Sequence, residues 1–90
     1  MQAERRITCP CCGHLSITDT YDICGICGWE HDPVQEDNPD SSIGANRVSL
    51  REAQRNFRVL GASAEGYADS VREPGSDDQR DPEWKPIDDV

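Results

Sequence analysis

Basic charge and apolar bulk are what this 90-residue sequence has least of. Nine Lys and Arg stand against 18 Asp and Glu, a net charge of −9. Phosphate backbones are met by basic faces, so nucleic acid is an unlikely partner and a basic protein a better one. Leu, Ile, Val and Phe together are about one residue in six, a share that composition alone places with disordered chains. No run of 18 apolar residues is present, which excludes a membrane-spanning helix. The stretch from Met1 to Ile7 has no apolar core of a signal peptide, so the expected compartment is the cytoplasm, where thiols stay reduced. A Gly-rich phosphate loop, a Ser/His/Asp set and an H-E-x-x-H helix are all missing, and the scattered acids form no obvious pair. No enzyme is expected.

Cysteine is what the chain does have. All five lie within residues 9–27, in Cys9-Pro10-Cys11-Cys12-Gly13 and Cys24-Gly25-Ile26-Cys27-Gly28. Each is a C-x-x-C-G knuckle, a tight turn that aims two thiolates at one point. The Gly after it lets the backbone fold back so that amide N–H groups face sulfur. Two knuckles make a tetrahedral four-thiolate site from Cys9, Cys12, Cys24 and Cys27. Disulfides and unpartnered thiols are the weaker readings. Zinc, one structural ion, is the default occupant, and iron competes because it accepts the same donors. Cys11, just before a ligand, is expected to pack, with an exchangeable ligand or a free thiol as alternatives. His14 and His31 are possible substitute ligands, and Asp22 a hydrogen-bond partner for knuckle backbone. His14–Thr18 and Tyr21–Ile23 read as hairpin strands turning at Asp19-Thr20. Small thin-cored chains usually need such a metal.

The remainder reads as support. Residues 30–46, acidic and rich in Pro, Asp, Ser and Gly, look like an irregular loop. Residues 49–60 predict a helix, with Ser49 as N-cap, Glu52 completing a capping box and Gly61 ending it. Leu50, Ala53, Phe57 and Leu60 fall on one face, and Arg51, Arg55 and Arg58 on another. A second short helix is expected over 63–71, weakened by Gly66. The fold class is therefore a small metal-stabilised α+β domain: a knuckle-bearing, zinc-ribbon-like hairpin packed on one or two short helices. Its limits are 7–74, followed by an acidic tail, 75–90, whose Trp84 and Ile87 either dock on the domain or anchor a partner. Trp29 is expected to cover the metal module, with base stacking as the other use.

Three stretches together resemble the bacterial cysteine-rich CPCC family: Cys9 to Gly13, Tyr21 to Asp32, and Gly44 to Phe57. The likeness covers roughly 7–74. In the second knuckle Gly25 and Gly28 stand where the family carries larger residues, but both cysteines remain. The resemblance implies a small metal-binding domain. By analogy it also suggests an immunity partner that neutralises a bacterial toxin, with the acidic loop 30–40 and the tail as surfaces for a basic toxin domain. The competing functions are a zinc-ribbon adaptor for nucleic acid or a protein complex, and a rubredoxin-like iron carrier of electrons.

Overall fold

The computed structural model describes residues 6–87. Its elements follow the chain as β1 (Ile7–Thr8), β2 (Leu15–Ile17), α1 (Pro33–Asp37), α2 (Leu50–Leu60) and a 3-10 turn at Glu65–Tyr67. β1 and β2 pair antiparallel, Ile7 opposite Ile17 and Thr8 opposite Leu15, with an irregularity between. The hairpin therefore straddles the first knuckle instead of joining the two. Tyr21–Ile23 does not pair with β2. It turns back on the far side of the second knuckle, through an Ile23–Glu30 bridge and a bond from Tyr21 N–H to the His31 carbonyl at 2.7 Å. The physical reason is local. Asp22 accepts from both the amide and the hydroxyl of Thr18, and Tyr21 adopts φ 64, so residues 18–22 form a tight turn with no room for strands.

α2 starts and stops where its caps dictate. Ser49 Oγ accepts from Glu52 N–H at 3.1 Å, and Gly61, at φ 75, donates to the Phe57 carbonyl. Leu50 and Ala53 are buried and Phe57 is partly buried, but Leu60 is 45% exposed. The apolar stripe thus fades before the last turn. Gln54, on the polar side of the pattern, is buried instead. Its Nε2 donates to the Pro10 carbonyl and its Oε1 accepts from Ile87 N–H, both at 2.8 Å, so it ties the helix to the first knuckle and the C-terminal stretch.

Residues 30–46 are better organised than their composition suggests. Asp32 caps α1, with Pro33 at its first position, where a missing N–H costs nothing. Gln35 is fully buried and its Nε2 donates to the carbonyls of Ser41, Asn46 and Val48. Asn46 closes the loop against both backbone groups of Glu30. The expected helix over 63–71 is reduced to the 3-10 turn, because Ser63 N–H is spent on the Cys27 carbonyl at 2.6 Å and Gly66 sits inside the turn.

The C-terminal stretch returns to the first knuckle. Leu15 N–H donates to the Gln79 carbonyl, Asp81 N–H to the Gly13 carbonyl, and Thr8 Oγ1 to Asp81. Trp84 Nε1 donates to the Pro10 carbonyl at 2.9 Å, and Ile87 packs against the core. Of the two uses left open for Trp84 and Ile87, both side chains dock on their own domain. The core is built around sulfur: the five cysteines with Ile17, Ile26, Trp29, Leu50 and Ala53 form one buried cluster. No helix among the described residues is long and apolar enough to cross a membrane.

Candidate metal centre

The two knuckles are near copies in backbone hydrogen bonding. Cys9 N–H donates to the His14 carbonyl and Cys24 N–H to the Trp29 carbonyl, at 2.8 and 2.9 Å. Gly13 N–H donates to Cys9 and Gly28 N–H to Cys24, each at 2.8 Å. This closure needs a left-handed residue at the fifth position, and Gly13 (φ 80) and Gly28 (φ 88) supply it. Each glycine also lies under an aromatic ring. A methyl group at Gly13 would stand 2.5 Å from Trp84, and one at Gly28 would stand 3.1 Å from Tyr67.

Facing one another, the knuckles bring Cys9, Cys12, Cys24 and Cys27 together, with all four sulfurs within 4.8 Å of each other. Cys9 and Cys27 are 3.6 Å apart and Cys12 and Cys24 3.8 Å. A tetrahedral ion with metal–sulfur bonds of about 2.3 Å would hold its sulfurs about 3.8 Å apart, so the donor set fits a single ion. Each ligand is at most 1% exposed. The four cysteines are thus positioned to hold a metal, and all four valences of a tetrahedral ion would be filled from the protein.

Hydrogen bonds prepare the sulfurs for negative charge. Ile26 N–H points to Cys24 Sγ and Trp29 N–H to Cys27 Sγ, both at 3.4 Å. The Ser16 hydroxyl lies 3.0 Å from Cys24 Sγ. Hydrogen bonds from Cys12, then Cys27, Cys9 and Ser16, hold the Cys24 thiol below the ordinary thiol range. Cys27 is pushed strongly up, first by its contact with Cys11 and then by the other three thiols.

The other candidates lie outside this set. Cys11 is 1% exposed and touches Cys27 without joining the four. His14 is buried beside the first knuckle, with its Nδ1 lacking a hydrogen-bond partner. His31 Nδ1 is engaged at 2.8 Å by Glu36, whose Oε2 also accepts from Trp29 Nε1 at 3.0 Å. Asp22 accepts from Ile23 N–H, next to the second knuckle. Trp29 is fully buried, so it covers the sulfurs and offers no face to a base. The Glu36 contact that fixes its indole was not anticipated. In the sequence Glu36 is one of five acids in residues 30–40, with nothing to single it out or link it to Trp29.

No curated protein matches the chain. The family model described as cysteine-rich CPCC matches residues 7–78, well over half of the chain. With both knuckles folded around one four-sulfur site, the chain belongs to the cysteine-rich CPCC family.

Proposed function

We propose that this protein works by binding rather than catalysis: a metal-stabilised partner that neutralises a basic toxin domain. The carrying observation is how a chain so short of apolar residues places them. Val34, Ile43 and Val59 are 63%, 83% and 82% exposed, on a molecule of net charge −9. Exposed apolar groups set among acids suit a protein interface, with the acids steering a basic partner and the apolar groups holding it. A fully thiolate-ligated ion leaves no position for water or substrate, which favours a structural role and, with it, zinc. Iron would give the same spacing and would colour the protein red.

Of the loop acids, Asp37 stays exposed beside Val34, while others are partly engaged. Asp32 and Glu36 are spent on α1 and Trp29, and Asp40 pairs with Arg51 at 2.6 Å. Asp69, Glu73 and Asp77 are exposed as well and extend the acidic surface. The test is co-expression with the product of an adjacent reading frame encoding a secreted toxin. Co-purification and loss of toxicity are expected. Absence of binding by the intact, metal-loaded protein would remove the immunity reading.

A further inference from the structure

A cavity adjoins the first knuckle where the C-terminal stretch passes α2, with Cys11 and Cys12 on its inner wall. The cavity there has a volume of about 470 Å³, within the usual range for small-molecule sites. Phe57, Pro74, Trp84 and Pro86 give it apolar walls. Arg58 and Arg80 bring positive charge, no Asp or Glu lines it, and of the two cysteines that form its inner wall Cys12 is a metal ligand. In a molecule with twice as many acids as bases, that is a local reversal of sign. Neither arginine makes an ion pair among the described residues, and Arg80 lies 5.4 Å from the centre of the Trp84 ring.

His14 adds an independent sign. It lines the same cavity, is 8% exposed, and carries the single buried side-chain nitrogen or oxygen without a partner among the described residues. Native sites normally satisfy such an atom with a ligand, an ion or ordered water. The metal centre does not use it, and neither does the proposed protein interface.

We propose that this cavity binds a small organic anion. Its flat apolar body lies against Trp84 and Phe57, and its carboxylate or phosphate meets Arg58 and Arg80. Guanidinium groups bind both anions through paired N–H donors, and the aromatic wall selects against inorganic ions that carry no apolar body. The bulk of the protein repels anions, so affinity would be confined to this one place.

The experiment uses the full, metal-loaded chain labelled with ¹⁵N. Benzoate and phenyl phosphate are titrated at constant ionic strength, with benzyl alcohol as the uncharged match. The Trp84 indole N–H reports binding, and the buried Trp29 indole serves as the internal reference. Saturable shifts at Trp84 with one or both anions are expected, and the stronger of the two identifies the preferred headgroup. Benzyl alcohol should bind about tenfold or more weakly. Arg58→Gln should weaken the anion by a similar factor with metal content and melting unchanged. Arg58 lies on an exposed helix position, so this variant keeps the test clear of any effect of Arg80 on the packing of Trp84. Absence of a Trp84 shift, equal affinity for benzyl alcohol, or full affinity in Arg58→Gln would each overturn the proposal.

Discussion

At the scale of the residue, the knuckles allow sharp contrasts between neighbours. Cys24→Ser removes one of the four ligands and should empty the site. Cys11→Ser removes a buried thiol that touches Cys27 but is not one of the four, and should keep one ion per chain. Metal-to-protein ratios of the two purified variants check this; equal loss would make Cys11 a ligand. Gly13→Ala combines a left-handed backbone with a methyl group 2.5 Å from Trp84. The backbone part alone costs about 1–2 kcal/mol, and overpacking of this kind adds about 1–3 kcal/mol. Gly28→Ala meets Tyr67 at 3.1 Å and should be the milder change, as measured by thermal melting. The ligands and the knuckle glycines were legible because their spacing is itself the geometry. The roofing rings were not, because nothing in sequence ties Trp84 to Gly13 across 71 positions.

Elements show where local rules hold and where tertiary demands override them. α2 was readable because its caps are local: Ser49, Glu52 and Gly61 each act within one turn. Ser49→Ala should cost about 1 kcal/mol. Its apolar stripe was over-read at Leu60, since periodicity identifies a face but not how far the partner surface extends. Leu50→Ala should therefore cost about 2–5 kcal/mol as a buried truncation, while Leu60→Ala should be nearly silent in the same denaturant titration. α1 was missed because the acidic composition of residues 30–46 outweighed its Asp32-Pro33 start signal. Of the two expected strands, His14–Thr18 holds β2 but Tyr21–Ile23 is not its partner, because strands of two and three residues carry too little alternation to choose between partners. The C-terminal stretch docks through backbone bonds and the Pro10 carbonyl, which leave no mark in side-chain pattern. Truncation after Gly75 should lower the melting temperature of the isolated protein by uncovering Gly13 and the first knuckle; an unchanged melting temperature would contradict that docking.

The whole molecule is a thin core organised by sulfur inside an acidic surface. Acid should unfold it by two routes of the same sign. Hydrogen bonds from Thr18 hold the Asp22 carboxyl below its usual range, the Thr8 hydroxyl does so for Asp81, and the Arg72 guanidinium for Asp78. Such groups stabilise the fold above the unfolded carboxylate value of about 4, and that contribution fades as pH falls through their lower folded values. Protons also compete with the ion for thiolate. Melting temperature should fall steadily from about pH 6 to about pH 3, and a rise on acidification would contradict both routes. For the proposed interface, Asp69→Lys with Glu73→Lys should slow association with a basic partner, and added salt should slow the wild type. An association rate indifferent to both would remove electrostatic steering. The central claim is that the four-thiolate ion holds the fold together, since structural zinc contributes on the order of 10 kcal/mol in small domains. The most direct measurement is native mass spectrometry alongside circular dichroism during titration with a strong chelator. The account predicts one ion per chain and loss of tertiary structure in step with loss of that ion; a metal-free chain that keeps its fold would contradict it.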